Sequence, residues 1–480
     1  MTEPLTIVGG GITGLSAALL AARAGRKVRV LEASPKFGGL LDTFEIGGTR
    51  LERFYHHFFT HDAEIHWLVH LLGIEDRLVY HDSTMGVYRG GRTYNFNSGF
   101  DLLRFKPIRW FDKFRFGLTS IFLAKLAKWR EYEDVAAFDW LNRYAGRTTA
   151  ESLWQPMLKV KFGPFADRVP LAWLIGRLRQ RMNSRKRGAE KLGYLRGSLS
   201  TLLDALLAEL KRLDVTLIAN APVTKCRIES GSMLSLMTEN NEFAGGDFLF
   251  TVPSPVIAKL LAESQPAEAA RHAAIKYFGA ICVILEMTAP LETVYWLNVA
   301  DPDFPFGGVI EQTNMIPASE YNGSHIAYLS RYVTKDEPLW KMTDAEVEQT
   351  MLAALRRMHP ELTADRLKRV YVFRTATAAT VCDLIFSRKV PECHTPINRM
   401  YVANMCHIYP DERSVNNSIR VATEACRVIG ALVDDVPRSA SLSAQIGFKV
   451  PARAKANAVG MGPEDEHSSQ LGQLVATINP

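Results

Sequence analysis

The chain has 480 residues, 47% of them apolar and 22% charged, which is too long for one hydrophobic core and too ordinary for a disordered or fibrous protein. Its net charge of +6 is uneven: residues 101–200 hold 21 Lys and Arg against 9 Asp and Glu, so the remainder sums to −6, and such a block calls for a local anionic partner. Six cysteines without a C-x-x-C pair argue against a zinc site or a disulfide framework and suit a reducing cytosol, and no run of eighteen apolar residues offers a transmembrane helix.

In chain order, Leu5 to Val8 reads as a buried strand, and Gly9, Gly11 and Gly14 then set a G-x-G-x-x-G turn that opens an Ala- and Leu-rich helix. Gly9 permits the turn, Gly11 lets backbone approach a pyrophosphate, and Gly14 lets helix and strand pack closely. The first amides of the helix, at Ile12 and Thr13, face the phosphate charge. A second strand, Lys27 to Leu31, ends at Glu32, whose carboxylate suits ribose hydroxyls and repels a 2′-phosphate, with Ala33 beside it. Four glycines and no basic leader make Ile7 to Ala22 nucleotide-binding structure and not a signal peptide.

After Glu32 the sequence ASPKFGGLLDTF places Gly38 and Gly39 just beyond a short loop. This extended fingerprint resembles that of the flavin amine oxidase superfamily, which includes protoporphyrinogen oxidases, phytoene desaturases and monoamine oxidases. The resemblance implies bound FAD and an α/β fold, in which a Rossmann-like FAD domain is interleaved with a mixed-sheet substrate domain and a helical insertion. Leu40 departs from the arginine that many members carry after the glycine pair. By the same resemblance Arg53, Phe54, Tyr55 and His56 lie near the flavin, with Tyr55 and His56 as catalytic candidates. The further histidines His57, His61, His66 and His70 have no acidic partner at ligand spacing, and no metal is expected.

Residues 80–100 read as a small β-unit turning at Gly90-Gly91. Phe114, Leu118, Phe122, Leu126 and Trp129 then form a helical stripe among cations, either the inner face of a core helix or an interfacial one. The run from Arg177 to Ser198 is the most basic, and without interleaved aromatics it suits a phosphate-bearing substrate or lipid, or a solvated face, better than nucleic acid. The resemblance places Val223 at the adenine edge and Thr251 in a strand returning to the FAD domain. It also places Asn404, Val415 and Asn416 in a closing motif whose helix points its N-terminus at the flavin. Strand-like runs between 273 and 375 offer Glu311, Asn314, Tyr328, Arg331, Tyr332 and Arg374 as pocket residues, with Arg331 and Arg374 as catalytic candidates.

The expected organisation is an FAD domain in three pieces (1–100, 196–272 and 376–435), the basic insertion 101–195, a substrate domain 273–375 and a disordered tail 436–480. The expected function is hydride transfer from a C–H or C–N bond of an apolar, amine or lipid- or phosphate-linked substrate to FAD. Oxygen or a quinone would be the final acceptor, since no second G-x-G-x-x-G exists. A redox-neutral flavin mutase acting on a nucleotide sugar and a non-catalytic lipid carrier share the fold and stay open. The expected location is the cytoplasm, with peripheral contact at the inner face of the membrane through 101–195; oligomeric state is left open.

Overall fold

The computed structural model describes residues 3–186, 189–433, 435–437 and 446–448, so nearly all of the expected tail lies outside the described residues. Five short strands form a parallel sheet in the order Thr216–Ile218, Val28–Leu31, Leu5–Val8, Asp247–Phe250 and Met400–Val402. Leu5–Val8 sits in its middle, and all four of its residues are buried, because a parallel strand covered on both faces needs apolar side chains on both. Helices Ile12–Arg23 and Val415–Ile429 pack against each other, and the Cys426 thiol reaches the Ala17 carbonyl at 3.5 Å. The nucleotide sheet is therefore assembled from the two ends and the middle of the chain.

A second sheet of seven strands runs Leu367–Thr380, Tyr277–Met287, His325–Val333, Gly308–Glu311, Trp296–Val299, Met85–Arg89 and Arg92–Asn95. All neighbours are antiparallel except Trp296–Val299 beside Met85–Arg89. Side chains alternate across it. Cys282, Ile284 and Tyr328 face the core shared with the nucleotide sheet, whereas Ile281, Val283 and Leu329 face a separate core under helix Asp344–Met358. That helix begins at a capping box in which Thr343 and Glu346 satisfy each other's amides.

Between positions 99 and 183 the chain is helical, with Trp110–Lys125, Ala137–Tyr144, Gln155–Phe162 and Leu171–Asn183 as its longer segments. Phe116, Leu123, Trp154 and Trp173 form its core, which is continuous with Phe278 and Tyr409 outside it. The apolar stripe read from the sequence does not point inward as a whole: Phe114, Leu118 and Leu126 are exposed, while Phe116 and Leu123 carry the packing. All six cysteines are free and buried. Among the described residues no helix is long and apolar enough to cross a membrane.

Candidate active site

The three glycines of the first turn act in different ways. Gly9 has φ +108°, and a Cβ on Gly14 would lie 2.0 Å from the Gly9 carbonyl oxygen, so that helix and strand meet only because neither position carries a side chain. Gly11, in contrast, faces open space: a Cβ there would meet nothing within 4 Å. No side chain caps the helix that follows, so the first-turn amides of Ile12 and Thr13 stay available to an anion. Gly38 and Gly39 come alongside, with Gly38 bridged to Gly11 and its N–H donating to the Gly10 carbonyl at 2.8 Å. Leu40, partly buried, is the middle residue of the single turn Gly39–Leu41.

Glu32 accepts from the Gly10 amide at 2.6 Å and from the Ser34 amide and hydroxyl at 2.8 and 2.7 Å. Two carboxylate oxygens offer about four acceptor sites, which leaves capacity for ribose hydroxyls. Ala33 is exposed beside it, and the loop carrying Val223 is tied to the same place by the Ala221 amide donating to the Glu32 carbonyl at 2.8 Å. Thr251 sits beneath the turn, its hydroxyl donating to the Val8 and Gly9 carbonyls at 3.0 and 3.1 Å, and thus braces the turn from behind. An open Gly11, an uncapped helix and a spare carboxylate make this a groove that fits the adenine dinucleotide of FAD.

The second part of the site lies where the segment Glu52–His57 meets the large sheet. Tyr55 packs edge-on against Trp296 at 4.9 Å and Tyr328 at 6.1 Å, and burial together with neighbouring Tyr332 raises its phenol above the ordinary value. Burial, reinforced by the Arg413 cation, lowers His56 to about 3, so the ring is neutral at physiological pH. Its Nδ1 lies 2.6 Å from the Phe54 carbonyl oxygen, a contact that requires the proton on Nδ1 and leaves Nε2 a free acceptor. His57 is lowered to about 3 as well, by burial and by Arg181 and Arg177. Arg53 pairs with Asp42 at 3.0 Å and lies over the Phe373 ring.

The third part is a cleft lined by Lys161, Phe162, Trp173, Phe278, Tyr332, Thr380, Tyr409, Glu412 and Arg413. Glu412 pairs with Lys161 and, at 3.4 Å, with Arg177. Burial opposes its charge, but the two cations overcome that cost and hold the carboxyl at about 2. Arg413 donates to the Tyr332 hydroxyl through Nε and a terminal nitrogen at 3.1 and 2.8 Å. The neighbouring Asp411 is matched by Arg420 at 3.3 Å, so four cations meet two carboxylates around one cleft. Ser414 then caps helix Val415–Ile429 by accepting from the Asn417 amide at 3.0 Å, with Val415 as its first residue.

Tyr55 and His56 thus come together with Tyr332 and Arg413, but six other sequence candidates are held elsewhere. Arg331 and Arg374 both pair with Ile281 in register, and the alternation of the sheet turns them to the face covered by helix Asp344–Met358. Arg331 bonds Glu337 there, while Arg374 bonds Asp344 and the carbonyls of Trp340 and Met342. Asn404 is 2% exposed, and its amide is filled by the Cys406 N–H, the Val252 carbonyl and the Ser254 hydroxyl. Asn416 faces helix Ala63–Leu71, accepting from the Ile65 amide and donating to Glu64 at 2.9 and 2.8 Å. Glu311 and Asn314 also serve their own loops, through the amides of Leu291 and Glu292 and the Glu292 carbonyl. Sequence reading missed Lys161, Trp173, Arg177, Glu412 and Arg413; the one available signal was that Arg413 immediately precedes the N-cap serine of the closing helix.

A glycine-turn sheet with an open dinucleotide groove, sharing its core with a large, mostly antiparallel sheet, defines an FAD-dependent oxidoreductase. The chain belongs to the flavin containing amine oxidoreductase family, whose model matches residues 12–403. No curated protein sequence matches it. Among solved structures it is similar to a candidate protoporphyrinogen oxidase from Exiguobacterium sp. 255-15, at 18% identity over 88% of this chain and 97% of that one, with TM-score 0.69. It is also similar to reduced UDP-galactopyranose mutase, at 15% identity over 95% and 98% with TM-score 0.72. Wild-type putrescine oxidase bound to putrescine is a third, at 15% identity over 90% and 99% with TM-score 0.66.

Proposed function

We propose that this oxidoreductase takes hydride from a substrate that carries an anionic group, and that alkylamines are poor substrates for it. The supporting observation is the charge around the cleft, where the cations Lys161, Arg177, Arg413 and Arg420 outnumber the carboxylates of Asp411 and Glu412. A diamine of the kind putrescine oxidase binds would bring like charge into that space, and like-charge juxtaposition is strongly unfavourable away from bulk water. The aromatic walls Phe162, Trp173, Phe278 and Tyr332 suit an apolar portion of the same molecule.

FAD, when bound, supplies the hydride acceptor. The protein orients the substrate against the aromatic walls, excludes water with them, and holds its anion on Lys161 and Arg413. The N-terminus of helix Val415–Ile429 adds a fixed positive potential at the closing turn. Neutral His56 offers Nε2 as a hydrogen-bond acceptor that can orient a substrate N–H or O–H, while its low proton affinity keeps it uncharged.

Flavin bleaching under argon tests this. Carboxylate- or phosphate-bearing candidates are expected to bleach the flavin and diamines to fail; rapid bleaching by a diamine would overturn the reading. Lys161→Gln is expected to raise KM for the anionic substrate by roughly tenfold with a smaller change in kcat, as loss of a ground-state charge contact does. The same cations suit the pyrophosphate of a nucleotide sugar, which favours a redox-neutral mutase as a second reading. Conversion of such a sugar to its ring isomer by the reduced enzyme, with no net flavin oxidation, would select that alternative.

A further inference from the structure

The helical insertion carries an apolar surface that its own packing does not use. Helix Trp110–Lys125 buries Phe116 and Leu123 in the insertion core, yet its opposite side shows Trp110 at 61%, Phe111 at 65% and Leu118 at 70% exposure, with Ile121 and Phe114 between them. Phe100 and Leu103 of the preceding helix and Leu126 at the helix end are exposed as well. Exposed single apolar residues are ordinary, but eight large ones within 27 positions form a patch of the kind that marks an interaction site. A helix that is apolar on both sides has a second apolar environment to meet.

Charge decides which environment. Between positions 100 and 130 seven Lys and Arg side chains are exposed, among them Lys106, Arg109, Arg115, Lys125 and Lys128, and no carboxylate in that stretch is exposed among the described residues, although Glu131 just beyond it pairs with Lys128. The two acids in this stretch are engaged within the fold: Asp101 completes the capping box of Ser98, and Asp112 accepts from the Thr148 amide and hydroxyl at 3.2 and 2.7 Å and from Arg115 at 3.4 Å, which leaves Lys106, Arg109 and Lys125 among the exposed cations without an acid in this stretch. An unbalanced cationic rim around tryptophan, phenylalanine and leucine matches a bilayer interface with anionic headgroups. A second copy of this chain would present the same cations and repel them.

We infer that the face of Phe100–Leu126 docks this enzyme on the surface of an anionic lipid bilayer, with Trp110, Phe111 and Leu118 entering the interface and the flanking cations on the headgroups. The inner side of the same helix packs on helix Leu171–Asn183, which carries Trp173 and Arg177 to the cleft. The cleft therefore lies one helical layer beneath the docking face. Docking stands independently of the substrate reading, since it requires no turnover.

The test is vesicle flotation of the full-length, FAD-loaded protein. Vesicles of phosphatidylcholine with roughly a third phosphatidylglycerol are expected to carry the protein, and phosphatidylcholine alone to carry it at least about tenfold less, since each surface cation contributes to the attraction. Raising salt to about 0.5 M should release most of it, because the headgroup attraction is screened. Phe111→Ser/Leu118→Ser, which alters only exposed positions, is expected to lower vesicle affinity by roughly tenfold or more while leaving flavin absorbance and melting temperature unchanged. Failure to bind the anionic vesicles, or equal binding by the double variant, would overturn the inference. So would a dimer in solution that the double variant dissociates without any vesicle binding by the parent.

Discussion

Replacing Gly11 with alanine is expected to give a folded, colourless protein. A Cβ at this position meets no protein atom within 4 Å, and the backbone φ of −76° is one that alanine adopts freely, so the apoprotein should melt as the parent apoprotein does. The added methyl occupies the space in front of the uncapped amides of Ile12 and Thr13, where the pyrophosphate has to approach. Loss of one or two charge-assisted hydrogen bonds corresponds to a roughly 10- to 100-fold weaker Kd for FAD. Gly14→Ala should behave differently, because its Cβ would collide with the Gly9 carbonyl at 2.0 Å and force the helix off the strand. Flavin titration by fluorescence together with apoprotein melting separates the two: G11A loses cofactor only, while G14A loses cofactor and stability. An FAD affinity for G11A equal to that of the parent would show that the dinucleotide does not lie along this turn.

Glu412→Gln is expected to cost about 3 kcal/mol at neutral pH, since removing one partner leaves Lys161 and Arg177 facing each other in a mostly buried place. For a chain of this size that is a fall in thermal midpoint of about 3 °C. The pH dependence carries the sign. The Glu412 carboxyl is held at about 2 against an ordinary value of 4.5, so its contribution is complete above pH 4.5 and is lost as pH falls through 2. His56 and His57 act in the same direction at higher pH: both stay neutral in the fold down to about 3, whereas the unfolded chain takes up protons below about 6.5. Stability of both proteins should therefore fall below pH 6.5, and the gap between parent and E412Q should close between pH 4.5 and 2. Denaturant unfolding across that range measures the gap; a gap that does not change with pH would mean that the Glu412 charge contributes nothing.

The nucleotide half of the fold was readable because its signals are local. Leu5 to Leu31 brings strand, turn, helix and strand within one short stretch, and each glycine answers to a neighbour a few residues away. The cleft was not readable, because it is built by contacts over long separations: Lys161 meets Glu412 across 251 positions, and no spacing rule connects an insertion helix with the turn before the last helix. Arg331 and Arg374 were misplaced for a different reason. Alternation along a strand tells which residues share a face but not which face lines the cleft, and here Tyr332 took that face, with Tyr328 on the same side against Tyr55. Asn404 and Asn416 flank the turn before the last helix, but their amides are taken up by Cys406, Val252 and Ser254 and by Ile65 and Glu64.

The fifth strand of the nucleotide sheet, Met400–Val402, pairs with Asp247–Phe250, and the helix that covers the first one is Val415–Ile429. During synthesis the amino-terminal glycine turn leaves the ribosome long before either partner exists. The cofactor pocket therefore cannot be completed until nearly 430 residues have emerged, and the early segment must wait without its neighbours, a slow, non-local assembly. Cofactor loading is thus a late event in the life of each chain, and a nascent polypeptide interrupted before position 400 is one that flavin cannot rescue.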